Sequence, residues 1–229
     1  GKKRWQLALY YQVGAAAFAV LAFSFGGIWL WLTWPASALL LVALNYAVLG
    51  AEGFQKGADG RLSPAARWLM APYLAAAWLN SRLWTRNNPL PDQVIDDVWL
   101  GRIPTGRELK GSPFSAVFDL CSELSLDPGS VAYRTLPVLD LTTPTPLQCQ
   151  QAALAIESLR QHGPLLVCCA LGYSRSATAV AAWLLHTGRA SSVAEAFLVI
   201  QRARPGIVLG LLHREALEPL ATRMEKKGV

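Results

Sequence analysis

The sequence predicts an α/β catalytic domain preceded by a pair of strongly apolar helices. Two observations predict the α/β domain: apolar runs of strand length recur along the chain, and helix-start signals lie between them. A third observation predicts the pair of apolar helices: two uncharged apolar runs, 8–25 and 29–49, occupy most of the first fifty residues. We expect a small central sheet flanked by helices, and divide the 229 residues into an anchor (1–84), a linker (85–94) and a catalytic domain (95–229).

Each of the first two apolar runs is close to the ~20 residues that a membrane-spanning helix needs. The short segment 24–27, Ser-Phe-Gly-Gly, lies between them, so we expect a transmembrane hairpin. Tryptophans near this turn suit the aromatic belts at bilayer interfaces; they are Trp29, Trp31 and Trp34. A cleaved signal peptide is the alternative for the first run, because basic residues 2–4 precede it. The second run directly after it argues against cleavage.

Residues 66–84 form a third apolar stretch, and the sequence leaves its topology open. We expect a third helix over 66–84. Because it contains Arg67, Pro72 and Arg82, it either crosses the membrane or lies along the surface. Basic residues before the first run and after the second place both ends of the hairpin on the cytosolic side. A reactive thiolate also favours a reducing compartment. We expect an integral membrane protein of a bacterial inner membrane or its equivalent, with a cytosolic catalytic domain.

The catalytic domain contains four apolar runs that we predict to be strands. They are 98–100, 116–120, 133–139 and 165–167. Capping boxes at Thr145 and Ser192 predict the starts of two helices. A last amphipathic helix is predicted over 207–226. About 135 residues are enough to enclose one hydrophobic core.

The most informative segment lies between the last predicted strand and a helix predicted over 176–185. Here Cys169 and Arg175 are separated by five residues, Ala170, Leu171, Gly172, Tyr173 and Ser174. The loop opens onto a helix N-terminus, where unpaired N–H groups and the helix dipole attract an anion. Such a field lowers a thiol pKa from about 8.5 to roughly 3.5–7.5. We therefore predict a Cys169 thiolate stabilised by the Ser176 hydroxyl, and an Arg175 that holds phosphate oxygens.

This stretch resembles the phosphate loop of the cysteine-dependent phosphatases, written His-Cys-x5-Arg-Ser/Thr. Other segments fall in the order and spacing of a dual-specificity phosphatase domain: 98–104, 117–121, 136–142 and 202–205. The resemblance covers roughly residues 95 to 222, and is greatest to the mitochondrial and bacterial phosphatidylglycerophosphate phosphatase group. The sequence departs from the family pattern at Cys168, where the family has His. Since side chains alternate along a strand, we expect Cys168 to point into the core.

Asp140 is the predicted general acid. It follows the apolar run 136–139, at a strand end entering a loop, and by resemblance it matches the aspartate of the family's general-acid loop. Protonation is needed because an alkoxide is a poor leaving group. The alternative is an aspartate that satisfies turn backbone. Asp119, inside a predicted strand, and Asp127, in a turn signal, are weaker candidates.

No cofactor or metal is expected in this mechanism. The histidines lack ligand spacing and are predicted at helix surfaces or ends; they are His162, His186 and His213. By resemblance, Cys121 matches a position where some relatives carry a cysteine that forms a reversible disulfide with the nucleophile. The alternative for Cys121 is a small buried side chain.

The predicted reaction is hydrolysis of a phosphomonoester through a phosphocysteine intermediate. The loop has no basic residue between Cys169 and Arg175, which favours one phosphomonoester over polyphosphorylated inositol lipids. A short tether to the bilayer favours a phospholipid substrate such as phosphatidylglycerophosphate. A membrane-tethered protein tyrosine or dual-specificity phosphatase, and a catalytically impaired phospho-binding module, remain alternatives. The expected partners are this lipid and the bilayer, with no nucleic acid, and the sequence sets no oligomeric state.

Overall fold

The computed structural model describes residues 2–227, and the predicted fold class is confirmed. The sheet consists of β1 (Asp92–Ile95), β2 (Val98–Arg102), β3 (Ala116–Cys121), β4 (Ala132–Val138) and β5 (Leu165–Cys169). Within the described residues it is a five-stranded sheet in the order β1-β2-β5-β3-β4. Only β1 runs antiparallel to its neighbour, and the other pairs are parallel. Strand β5, which leads into the phosphate loop, therefore lies at the centre.

Strand β1 was not predicted, and it occupies the end of the stretch predicted as a linker. Its first residues, Asp92 and Gln93, are polar, and the strand pairs with β2 alone at the edge of the sheet. An edge strand of four residues with a polar start lacks the apolar pattern that identified the other strands. Strands β2 to β5 lie at the predicted places, with ends shifted by at most two residues.

The helices of the catalytic domain are α5 (Gly106–Lys110), α6 (Pro146–Leu159), α7 (Arg175–His186), α8 (Val193–Ala203) and α9 (Leu211–Lys227). The capping box predicted at Thr145 is present, since its hydroxyl accepts from Gln148 N and Gln148 caps Thr145 N in return. Helix α9 begins four residues later than predicted. The preceding residues are extended instead, and Val208 N donates to Tyr173 O at 2.7 Å.

The two faces of the sheet contact different surroundings. Phe118 and Val167 face a core built with α6, α7 and α9, which also contains Cys169. Val117 and Leu166 face a second core on the opposite side, which contains Cys121 and Cys168. Neighbouring residues of β5 therefore project into different cores, as the alternation of side chains along a strand requires.

The N-terminal apolar runs form α1 (Lys2–Phe25) and α2 (Thr33–Leu44), which continues as a π-helical turn over Asn45–Leu49. Two helical stretches, Lys3–Phe25 and Gly27–Phe54, are long and apolar enough to span a membrane, and each is only 17% buried. The core helix of a soluble protein would instead be mostly buried. The 24 residues of α1 extend ~36 Å at the rise of an α-helix, enough for a hydrocarbon core of ~30 Å.

The third apolar stretch is not one helix over 66–84. It is divided at Met70 into α3 (Pro64–Leu69) and α4 (Ala71–Trp84), each with a proline in its first turn. Both ends of this pair contact the catalytic domain: Leu62 N donates to Ser125 Oγ at 3.2 Å, and Ser81 Oγ donates to Ala170 O at 2.6 Å. The stretch therefore leaves the catalytic domain and returns to it.

Candidate active site

The phosphate loop connects the centre of the sheet to the start of α7. Cys169 is the last residue of β5 and Arg175 is the first residue of α7, so the predicted strand and helix meet at the loop. The first turn of a helix leaves backbone N–H groups without intrahelical partners. The loop and this helix start together form a site suited to an anion.

The Cys169 sulfur has two hydrogen-bonding partners. Its Sγ lies 3.1 Å from Ser176 Oγ, and Gly172 N donates to it at 3.3 Å. Both groups can donate a hydrogen bond to the sulfur, which is a weak acceptor. The expected Ser176 contact is thus present in the structure. The cysteine is 2% exposed, so a substrate phosphate must reach its sulfur through the loop.

Gly172 allows the loop to pass close to the backbone near the C-terminal end of β2. Its φ is +77°, and a Cβ at this position would lie 2.4 Å from the carbonyl carbon of Gly101. Only glycine fits this combination of a left-handed backbone and a backbone neighbour. Gly172 therefore lets the loop turn beside β2 without a clash.

Arg175 is held by a carboxylate that the sequence analysis did not identify. Its Nη1 and Nη2 donate to Glu123 Oε2 and Oε1 at 2.9 and 2.8 Å, and Nη1 also donates to Val138 O at 2.8 Å. Burial raises the pKa of Glu123, but the charge and hydrogen bonds of Arg175 outweigh it and hold that pKa well below its usual range. Glu123 is therefore ionised and fixes the plane of the guanidinium.

Asp140 lies beside Arg175, with Oδ1 at 3.2 Å from Nη2. It follows β4, and its side chain is 35% exposed, so a substrate can reach the carboxyl group. The pKa of Asp140 is above its usual value. Burial raises this pKa most, the charge of Arg175 lowers it, and the charge of Glu123 raises it further. A raised pKa keeps the proton available closer to neutrality, as a general acid requires. Asp140 Oδ1 also accepts from Leu141 N, so the turn contact of the alternative interpretation is present too.

The outer side of the loop is held by Arg204, from the 202–205 segment. Its Nε donates to Gly172 O and its Nη2 to Leu171 O, both at 2.9 Å. The guanidinium lies over the Tyr173 ring at 4.7 Å and forms an ion pair with Asp92. Arg204 is 0% exposed and is a structural support of the loop, a role that its spacing in the sequence did not indicate.

His213 was predicted at a helix surface or end, and the structure places it against the phosphate loop. Its Nε2 lies 2.9 Å from Ser174 Oγ, while its Nδ1 accepts from Gly210 N at 3.1 Å. An Nδ1 that accepts leaves the proton of a neutral ring on Nε2, which then donates to Ser174. His213 therefore helps to fix the loop.

Cys121 and the nucleophile belong to different hydrophobic clusters of the domain. Cys121 and Cys168 belong to the core on one face of the sheet, and Cys169 belongs to the core on the other face. Burial raises the pKa of both Cys121 and Cys168 well above the usual value, so both are neutral thiols. The expected burial of Cys168 is present. The disulfide with Cys169 stays a prediction.

The remaining acidic candidates lie outside the cleft. Asp119 is fully buried, forms an ion pair with Lys56 and accepts from Tyr133 Oη at 2.7 Å. Asp127 is exposed and pairs with Arg61 at 3.7 Å. Among the candidate carboxylates, Asp140 is the one that the structure brings to Arg175.

Comparison with known proteins identifies a family model for the catalytic domain. Residues 98–220 match the family model described as dual specificity phosphatase, catalytic domain. No curated protein matches the sequence significantly.

Several solved structures share the fold. Tk-PTP in its active form is 32% identical, with a TM-score of 0.54, and the match covers 59% of this chain and 99% of that one. PTPMT1 in complex with PI(5)P is 19% identical, with a TM-score of 0.54 and coverage of 61% and 99%. Human DUSP28 is 21% identical, with a TM-score of 0.53 and coverage of 60% and 99%. The matched part in each case is about three fifths of this chain.

Proposed function

The chain belongs to the dual-specificity phosphatase family, and from this premise we propose that it is an integral-membrane phosphatase that hydrolyses a phospholipid phosphomonoester. Phosphatidylglycerophosphate is the proposed type of substrate. The observation that carries the proposal is the contact between the two parts of the chain. Tyr46, at the end of the second apolar helix, donates its hydroxyl proton to Asp140 O at 2.8 Å. The proposed acid therefore lies next to the end of the second helix of the proposed membrane hairpin.

The proposed reaction has two steps, both using groups of this chain. Cys169 Sγ attacks phosphorus, a P–S bond forms, and the P–O bond to the leaving group breaks while Asp140 donates its proton to the departing oxygen. Asp140, now a carboxylate, takes a proton from water, whose oxygen attacks phosphorus. The P–S bond breaks, inorganic phosphate leaves and the thiolate is regenerated. Arg175 and the loop N–H groups bind the phosphoryl oxygens through both steps.

The apolar helices support the proposal of membrane integration. Large apolar side chains of α1 face outward, among them Val13 at 61% and Phe23 at 73% exposure. Arg4 Nε donates to Tyr46 O at 3.2 Å, so the start of α1 and the end of the second helix lie together beside the catalytic domain. Basic residues 2–4 then favour the cytosolic side for that end of the hairpin, and for the catalytic domain with it.

The composition of the loop supports a single phosphomonoester as substrate. The five residues between Cys169 and Arg175 have neutral side chains. The charge of Arg175 and the backbone N–H groups are therefore suited to binding a single phosphate group. PTPMT1, one of the similar structures, was solved with PI(5)P, a phosphorylated lipid. We extend only the class of ligand, a lipid phosphomonoester, to this chain.

The test compares lipid and peptide substrates on the full chain in lipid nanodiscs. We expect turnover of phosphatidylglycerophosphate at a kcat/KM at least about tenfold above that of phosphotyrosine peptides, because the tether raises the effective concentration of lipid. Cys169→Ser is the control and should turn over neither. A preference for the peptide would instead indicate a membrane-tethered protein phosphatase. Equal turnover by Cys169→Ser and wild type would contradict the mechanism itself.

A further inference from the structure

Three residues of the N-terminal region, defined here as residues 2–85, each bond to a different segment of the proposed active site. Tyr46 contacts the general-acid loop, Lys56 contacts the segment that carries Glu123, and Ser81 contacts the phosphate loop. All three side chains are almost completely buried. A region that served only to hold the enzyme at a membrane would not require buried contacts to every catalytic segment.

The Tyr46 contact fixes the backbone of the proposed acid. The hydroxyl donates to Asp140 O at 2.8 Å, and Tyr46 is itself held by Arg4 through its carbonyl and by the Tyr11 ring at 5.2 Å. Asp140 stands directly before Leu141, a non-glycine residue in the left-handed region at φ +60°. Because such a conformation is costly, an external hydrogen bond helps to keep the loop in this arrangement.

Lys56 stabilises both sides of Glu123. Its Nζ donates to Cys121 O and to Leu124 O, each at 2.7 Å, and forms a fully buried ion pair with Asp119. The two carbonyls bracket the two-residue segment 122–123. Since Glu123 holds Arg175 through two hydrogen bonds, a shift of this segment would turn the guanidinium. Lys56 therefore acts on the phosphate-binding arginine through Glu123.

Ser81, on α4, fixes the first peptide of the phosphate loop. Its Oγ donates to Ala170 O at 2.6 Å, and Ser81 is 0% exposed. In a trans peptide the carbonyl and the following N–H point in opposite directions. The contact therefore directs the Leu171 N–H away from α4, on the side of the peptide opposite to Ser81.

We propose that the N-terminal region is part of the catalytic apparatus, with Tyr46, Lys56 and Ser81 as positioning residues for the acid, the arginine and the phosphate loop. This inference rests on the proposed function, because it assumes the roles given there to Asp140 and Arg175. It adds that the apolar hairpin and the catalytic domain act as one unit. Removal of the Tyr46 hydroxyl, at the end of the second apolar helix, should therefore change catalysis at the site.

The leaving group of the substrate tests the Tyr46 contact. An alkyl phosphate needs a proton on its departing oxygen, whereas p-nitrophenyl phosphate has a leaving group stable as an anion. Tyr46→Phe in the full chain should lower kcat/KM for an alkyl phosphomonoester lipid about tenfold and change kcat/KM for p-nitrophenyl phosphate by less than about twofold. The ratio kcat/KM reports formation of the phosphocysteine, in which only the alkyl leaving group needs a positioned acid. Tyr10→Phe, which removes an exposed hydroxyl on α1, is the matched control and should change neither.

Binding of inorganic phosphate tests the other two contacts. Ser81→Ala should raise the inhibition constant of inorganic phosphate about fivefold, because a buried hydrogen bond to the loop is lost. Ser37→Ala, at an exposed hydroxyl of α2, is the control. For Lys56 the double variant Lys56→Met/Asp119→Asn removes both charges, since one buried charge left alone is strongly destabilising. It should likewise raise the phosphate inhibition constant while the thermal unfolding transition stays cooperative.

The results separate failure of this inference from failure of the proposed function. If Cys169→Ser abolishes turnover but Tyr46→Phe lowers both substrates equally, the positioning role of Tyr46 is wrong and the phosphatase mechanism stands. If Ser81→Ala and the Lys56 double variant leave phosphate inhibition unchanged, their contacts are structural only. If Cys169→Ser retains turnover, the proposed function fails before the inference is reached.

Discussion

Helices α1 and α7 are both rich in apolar residues, yet they lie in opposite surroundings. In α7 every residue from Arg175 to Leu185 is buried, including Trp183 at 0% exposure. In α1 most residues are exposed, among them Leu9 at 59% and Val20 at 63%. Protein covers the apolar side chains of α7, whereas the outward side chains of α1 lack such a cover within the described part of the chain. Helix α7 lies in a protein core, and the exposed apolar surface of α1 supports the proposal that α1 lies in lipid.

The same comparison explains where chemistry is placed. The buried α7 starts at a fixed point on the central strand, so Cys169, Arg175 and Ser176 are held by elements that cannot move independently. The end of the hairpin reaches the backbone of Asp140.

The largest expected effect is at Asp140. Asp140→Asn should lower kcat/KM for an alkyl phosphate by about 10²–10⁴-fold, the usual contribution of a positioned general acid. In wild type the protonated fraction of Asp140 falls as pH rises through its pKa. Because that pKa is above the usual value, the fall should occur at higher pH than for a free aspartate. The measurement is the pH profile of kcat/KM, whose alkaline limb should disappear in Asp140→Asn. An unchanged limb would assign the acid to another group.

A smaller effect is expected from Arg175→Lys. Lysine keeps the charge but cannot make the two-pronged contact with Glu123 or bind two phosphate oxygens. We expect kcat/KM to fall by about 10²–10³-fold, comparable to the loss of one transition-state donor. Arg189→Lys is the matched control, because Arg189 forms a surface ion pair with Asp96. If both variants lose activity to the same extent, the geometry around Arg175 has no special role.

The exposed side is tested by a charge in the middle of α1. Val13→Lys places an ammonium on an outward surface, and in a bilayer this should disfavour insertion by about 3 kcal/mol. Gln6→Lys, near the end of the helix, is the control and should insert normally. The measurement is the fraction that stays with membranes after alkaline extraction. Equal retention of both variants would show that this surface of α1 does not contact lipid.

The sequence predicted the phosphate loop and its strand and helix because these features are local. Cys169, Arg175 and Ser176 lie within eight residues, and the apolar strand and the helix that hold them are contiguous with the motif. The contact between the Cys169 sulfur and Ser176 therefore followed from spacing alone.

Residues that act over long separations in the chain were missed. Glu123 lies 52 residues from Arg175, and His213 lies 39 residues from Ser174. No periodic pattern identifies such partners, although a charged residue two positions after the end of the buried strand β3 could have drawn attention to Glu123. Cys121 was paired with Cys169 by resemblance, and the alternation of β3 and β5 side chains places them in different cores. The third apolar stretch was read as one helix because its composition does not reveal the break at Met70.

The central claim is that Cys169 is the nucleophile, and its most direct test is capture of the covalent intermediate. The full chain in nanodiscs is mixed with substrate, quenched in acid within milliseconds and digested for mass spectrometry. We predict one added phosphoryl group on the peptide that contains Cys169, and none in Cys169→Ser. Turnover with no phosphoryl group on that peptide, or with the group on another residue, would contradict the account.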